Sequence, residues 1–165
     1  MVLNVKIIQN DSFIGIIGGI MSGAFLGQFE NSITNRRVSI PQSFRRLFSS
    51  ASRMQVIAIR GRQNTIYIFP WDNWKDLESK LEKGTDEEKD LLKKFRIYAT
   101  LLTVEGPGRI LLPKNLLDIA NITDKAMILG EGSYFSLWNP DNFKKYLAEI
   151  DKEYDMILQR NDHIL

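Results

Sequence analysis

Apolar positions along this chain change period several times, and each change marks an element. Residues Arg37 to Ile40, Val56 to Arg60 and Thr65 to Phe69 are short runs rich in β-branched and aromatic side chains, as strands are. Phe25 to Ser32 alternates more loosely and reads as a further strand. Asn35-Arg36-Arg37 reads as a turn, because asparagine tolerates the left-handed conformation, and Gly61-Arg62-Gln63-Asn64 reads as another. After Pro41, whose fixed φ suits the first position of a helix, Phe44, Leu47 and Phe48 recur at helical spacing. Asp72 to Leu81 reads as a helix capped by Asp72 and ended by Gly84. Thr85-Asp86-Glu87-Glu88 has the form of a capping box and opens a helix expected to bury Leu91, Leu92 and Phe95.

The pattern then starts again. Ala99 to Val104 reads as a strand, Glu105 to Gly108 as a turn, Arg109 to Leu112 as a strand, and Pro113 opens a helix. Ala126 to Leu129 and Tyr134 to Trp138 follow as a hairpin. Phe143, Leu147, Ile150 and Tyr154 mark a long amphipathic helix, and the last six residues read as frayed. The two series correspond residue by residue. Arg37-Val38-Ser39-Ile40-Pro41 returns as Arg109-Ile110-Leu111-Leu112-Pro113, and Asp72-Asn73-Trp74 returns as Asp141-Asn142-Phe143. Such a repeat implies two similar half-domains paired about a pseudo-twofold axis, with matching loops on one side, which suits a repetitive partner such as DNA. The expected class is α+β and β-rich. The expected divisions are an N-terminal extension (1–24), a first repeat (27–72), linker helices (73–98), a second repeat (99–142) and a C-terminal helix and tail (143–165).

Charge sharpens this picture more than composition does. Of 165 residues, 44% are hydrophobic and 25% charged, an ordinary globular balance. From Asn31 to Trp71 there is no acid, but there are seven arginines: 36, 37, 45, 46, 53, 60 and 62. That stretch carries +7 against a net +2, so the rest of the chain sums to −5. Arginine's planar fork suits phosphates and guanine edges. There is no cysteine, and the one histidine is His163, so thiolate metal sites, cysteine nucleophiles and Ser-His-Asp triads are excluded as designs. No cofactor, metal or catalytic group is expected. Gly106-Pro107-Gly108 lacks the length and ending of a phosphate loop.

Phe13 to Gly27 is apolar and glycine-rich, but its 15 residues fall short of the roughly 20 that span a bilayer. As a signal peptide it has a weakly charged start. Ile17-Gly18-Gly19-Ile20-Met21 fits an untranslated leader read as protein, the two glycine codons resembling a ribosome-binding site, and predicts a native start at Met21. N-terminal sequencing of the protein from its own cell tests this.

Val104-Glu105-Gly106-Pro107-Gly108-Arg109-Ile110-Leu111-Leu112-Pro113 closely resembles a signature of the MraZ family: an acid, two variable positions, Gly-Arg, an apolar strand and proline. Phe69-Pro70 before Trp74, Tyr98-Ala99, and Ile128-Leu129-Gly130 leading to Phe135-Ser136-Leu137-Trp138 resemble the family as well. The first copy departs from it. Ile33 stands for the acid and Arg36 for the glycine, while Arg37 is kept. Asn35 is expected to take the left-handed position in place of Arg36. The resemblance implies an AbrB-like (SpoVT/AbrB) swapped-hairpin barrel, assembled into a ring-shaped homo-oligomer in the cytoplasm at the nucleoid. It also implies a non-enzymatic, sequence-specific transcriptional regulator that binds direct repeats in the promoter of its own division and cell-wall gene cluster. The residues expected at double-stranded DNA are Asn35, Arg36, Arg37, Arg45, Arg46, Arg53 and Arg109. Arg109 carries two readings, a DNA contact or an ion pair with Glu105 inside its turn. The competing function is a non-catalytic ring-forming scaffold that binds a protein partner through the acidic second copy and the linker helices; no membrane partner is expected.

Overall fold

The computed structural model describes residues 22–165. The Met21 start and residues 1–20 therefore lie outside the described residues. The strands are β1 (Gln28–Thr34), β2 (Arg37–Ser39), β3 (Gln55–Arg60), β4 (Ile66–Pro70), β5 (Thr100–Thr103), β6 (Arg109–Leu111), β7 (Lys125–Gly130) and β8 (Phe135–Trp138). The helices are α1 (Gln42–Arg45), α2 (Trp71–Glu82), α3 (Asp86–Tyr98), α4 (Lys114–Ala120) and α5 (Pro140–Arg160). The strands form one antiparallel sheet in the order β5-β3-β4-β8-β7-β1-β2-β6.

That order interleaves the repeats. β4 pairs with its counterpart β8 and β2 with its counterpart β6, while β1–β7 and β3–β5 are the two equivalent cross-copy pairs. The edge strands β5 and β6 are consecutive in the chain and joined by a bridge between Glu105 and Arg109, so the sheet nearly closes into a barrel.

Strand alternation sets the core. Val38, Ile40, Val56, Ala58, Ile66, Ile68, Ile110, Leu112, Ile128 and Leu137 turn inward and are buried, each large one adding roughly 1.5–3 kcal/mol. Phe25, Phe44 and Phe135 meet inside with ring centroids 5.1–5.3 Å apart. A second apolar cluster lies on the opposite face of β3 and β4, where Ile57, Ile59 and Phe69 pack under Trp74 and Leu81 of α2 and Leu92 of α3.

Several local expectations shift. Pro41 and Pro113 sit one place earlier than expected, as the extended residues that cap α1 and α4 (φ −51° and −62°). Asp72 is not the cap of α2, because that helix starts at Trp71 after Pro70. Its carboxylate instead accepts from the Ser22 backbone N–H at 2.9 Å and from the Ser22 and Ser49 hydroxyls at 3.0 and 2.7 Å. Thr85 caps α3, accepting from the Glu88 N–H as the box predicts. Leu92 is buried, but Leu91 is exposed, since neighbouring helical positions point about 100° apart. Asp162–Ile164 form a short 3₁₀ turn where fraying was expected.

Candidate nucleic-acid interface

The β1–β2 hairpin turns on two residues. Thr34 pairs with Arg37, and Asn35 and Arg36 between them have φ of 51° and 61°. Positive φ at both central positions is the mark of the turn whose twist matches that of the strands it joins. Asn35 is left-handed, as expected, but Arg36 is left-handed too. The type I′ turn adopted here needs both, at roughly 1–2 kcal/mol for an arginine.

The register of β2 on β6 then builds the site. Ser39 lies opposite Arg109 and Arg37 opposite Leu111, so the period of two puts all four on the outer face, while Val38 and Ile110 fill the core. Because β2 and β6 are equivalent strands, their pairing at the pseudo-twofold axis brings the same arginine from both copies to one place. With Asn31, Ser32, Thr34 and Ser39 they line a shallow polar depression of about 360 Å³. Asn31 donates to the Ser39 carbonyl at 2.7 Å, which ties the β1 wall of the depression to its floor.

The arginines divide by task. Arg36 Nη1 donates to the Leu112 carbonyl at 3.0 Å, and Arg45 Nε donates to the Ile40 carbonyl at 3.0 Å. Arg45 lies over Gly108, whose φ of +112° and missing Cβ leave it room. Arg37 Nε meets Glu105 Oε1 at 3.1 Å. Glu105 therefore reaches across to the first copy. Its link to Arg109 is through the backbone, Glu105 N–H to the Arg109 carbonyl at 2.7 Å and Arg109 N–H to the Glu105 carbonyl at 2.9 Å. Among the described residues Arg109 forms no ion pair, so the Glu105–Arg109 side-chain pair is not the arrangement found.

The structure thus brings Arg37 and Arg109 together on the depression, while Arg36 and Arg45 are tied to backbone carbonyls at the two ends of the β2–β6 ladder and Asn35 sits at the hairpin tip. Arg46 and Arg53 are exposed but do not line the depression; Arg53 follows a 3₁₀ turn at Ser50–Ser52 with φ 54°. Arg60 and Arg62 line a different groove, against α3. The acid-free stretch is consequently spread over more than one surface. Asn31, Ser32, Thr34 and Ser39 escaped the sequence reading. Ser32, Thr34 and Ser39 alternate outward with the buried Ile33 and Val38, whereas Asn31 shares the parity of Ile33, and only the strand register shows that they surround both arginines.

Comparison with known proteins fits this duplicated architecture. The family model described as "MraZ protein, putative antitoxin-like" matches twice, over residues 34–95 and 97–162. A transcriptional regulator MraZ from Roseiflexus sp. (strain RS-1) is 31% identical over 140 residues, covering 82% of this chain and 95% of that relative. Proteins of the same name from Thermomicrobium roseum and Alkaliphilus metalliredigens are 31% and 27% identical, covering 82% and 85% of the chain and 96% and 98% of their own lengths. Two tandem family matches on an interleaved two-copy barrel place this chain in the MraZ family of transcriptional regulators.

Proposed function

We propose that the outer face of β2 and β6 binds double-stranded DNA and that the protein regulates transcription through it. The reading rests on one observation: Arg37 and Arg109, equivalent in the repeat, stand on one exposed face among serine, threonine and asparagine side chains. Guanidinium groups supply phosphate neutralisation and bidentate guanine contacts, and the short polar side chains add donors and acceptors at no steric cost. The hairpin tip at Asn35 and Arg36 projects beside them to reach the backbone.

The finer reading follows the family. The targets are short direct repeats in the promoter of the protein's own division and cell-wall gene cluster. The protein acts as a ring-shaped homo-oligomer in the cytoplasm at the nucleoid, so that several weak faces engage successive repeats together. Arg46 and Arg53 add outlying phosphate contacts. No helix among the described residues is long and apolar enough to cross a membrane.

The test is a shift assay on DNA upstream of the coding region, comparing wild type with R37E/R109E. Loss of the shifted species with an unchanged melting temperature supports the reading. Undiminished binding by the charge-reversed protein refutes it and leaves scaffolding as the better account.

A further inference from the structure

Arg60 and Arg62 of the acid-free stretch take no part in the β2–β6 face. They stand instead around a groove of about 400 Å³ between α3 and the β3–β4 turn. Its floor is Tyr67, Leu91, Phe95 and Tyr98. Lys94 joins the two arginines at its edge, and among the described residues no acid lines it.

The turn holds these cations over the floor. Gln63 and Asn64 are both left-handed, with φ of 56° and 57°, and the Gly61 N–H donates to the Thr65 carbonyl at 2.8 Å. The Arg62 carbonyl accepts twice from Thr65, from its N–H at 3.2 Å and from its hydroxyl at 2.6 Å. Gly61 lies against the Tyr67 ring, where a Cβ would collide, so glycine lets the two arginines flank the floor closely. Arg60 is already placed: its guanidinium is 5.3 Å from the Tyr98 ring centroid and Nη1 donates to the Tyr98 hydroxyl at 3.1 Å. Lys94 pairs with Asp90, but both side chains are exposed, so little is lost when that pair opens. Among the described residues Arg62 has no ion-pair partner.

An apolar floor beneath free cationic groups selects a ligand that has both an apolar face and a negative charge. Duplex DNA offers phosphates, but the faces of its bases are stacked on one another and cannot cover the floor. A standard protein interface covers about 800 Å² on each side. A groove of about 400 Å³ falls instead in the size range of small-molecule sites. We propose that this groove binds a small aromatic anion, a planar ring carrying a carboxylate or a phosphate. The ring packs on Tyr67, Leu91 and Phe95, and the anionic group meets Arg62 and Lys94. Arg60, held on Tyr98, forms a fixed wall beside it. The site is separate from the β2–β6 face and needs nothing from the DNA reading.

The test uses 8-anilinonaphthalene-1-sulfonate, itself an aromatic anion, whose fluorescence rises in apolar surroundings. Titrated into the full chain, it should bind saturably at one site per subunit. Arg62→Glu and Leu91→Asp should each weaken that binding about ten-fold or more, the scale of one lost contact to a charged group. Tyr154→Asp, at an exposed apolar position on α5, should leave it unchanged. Circular dichroism verifies folding. Should Leu91→Asp not fold, Arg62→Glu against the charge-keeping Arg62→Lys decides, with only the first weakening the site. Indole-3-acetate and adenosine monophosphate then compete with the reporter. Displacement by either supports the proposal, and the one that acts tells a carboxylate ligand from a phosphate one. Their uncharged parents, indole and adenosine, should need about ten times the concentration. Displacement by neither acid, or equal displacement by the uncharged parents, overturns the proposal. So does reporter binding that survives Arg62→Glu or is lost in Tyr154→Asp. Displacement by an oligoglutamate peptide or duplex DNA where the small acids fail also overturns it. Reporter binding that appears only on dilution does the same, because a second copy then fills the groove.

Discussion

Removing the carboxylate beside Arg37 should tighten DNA binding. In the free protein Glu105 Oε1 sits 3.1 Å from Arg37 Nε, with side chains 46% and 34% exposed. An ion pair that exposed is worth no more than about 1 kcal/mol. A phosphate meeting Arg37 must break or share that pair. It would then lie about 5 Å from the carboxylate, where the repulsion at the permittivity of water is about 0.8 kcal/mol, cut to roughly half by physiological salt. Together these set a barrier to binding near 1 kcal/mol per subunit, so Glu105→Gln should lower the Kd for a single-repeat duplex about three- to five-fold. Fluorescence anisotropy at physiological salt measures it. Repeating the substitution in an Arg37→Ala background should give a smaller gain, because the released guanidinium is then absent. A Glu105→Gln protein with unchanged melting temperature and equal or weaker affinity would refute the placement of phosphate at Arg37.

Three further substitutions have outcomes that follow from the structure. Arg36→Gly relieves a left-handed arginine but removes its bond to the Leu112 carbonyl, each worth about 1 kcal/mol, so denaturant titration should show little net change. In DNA binding the same variant should flatten the slope of log K against log salt by about 0.9 if Arg36 contacts one phosphate. Gly108→Ala meets both an unfavourable φ of +112° and the Arg45 side chain, and should lower stability by about 1–3 kcal/mol in thermal or denaturant unfolding. Finally, the hydrogen bond from Lys75, then those from Arg96, hold the Glu78 carboxyl below its ordinary value of 4.5. A carboxyl lowered in the folded state contributes stability above 4.5 that is lost as pH falls through the depressed value. Acid titration of wild type should therefore show a destabilisation below about pH 4.5 that Glu78→Gln reduces.

Which parts of this were legible before any coordinates depended on how far each interaction reaches along the chain. Strand alternation and the repeat were written in local residue types, and they announce two similar halves. The buried Val38 and Ile110, the Asn35 turn and the Thr85 cap all follow from neighbours within a few positions. Asp72 went astray because its partners Ser22 and Ser49 lie 50 and 23 residues away, and local spacing made it a cap. One of the two readings of Arg109, an ion pair with Glu105, fails for the same cause. The neighbour of Glu105 in the chain is Arg109, but the β2–β6 register offers it Arg37, 68 residues away. The run of seven arginines suggested one surface because charge was counted linearly. Folding sends Arg37 to the pseudo-twofold face and Arg60 and Arg62 to the α3 groove.

The two copies also solve one structural problem by different means, and that difference explains the odd arginine at the first turn. Ile40 and Leu112 are equivalent, and each carbonyl stands just before a helix-capping proline. Ile40 receives its hydrogen bond from Arg45 of its own copy, which passes over Gly108. The position equivalent to Arg45 in the second copy is Leu117, a buried core residue with no donor to offer. Leu112 is bonded instead by Arg36, which occupies the place equivalent to Gly108. A glycine at 36 would leave the Leu112 carbonyl without that partner; an arginine at 108 would strike Arg45. The pair Arg36–Leu117 and the pair Gly108–Arg45 are thus two self-consistent sets, each leaving the carbonyl before its proline with one guanidinium donor. The guanidiniums of Arg36 and Arg45 are committed to backbone carbonyls. Charge aimed outward from the axis therefore comes chiefly from Arg37 and Arg109, the one arginine position at which the copies agree.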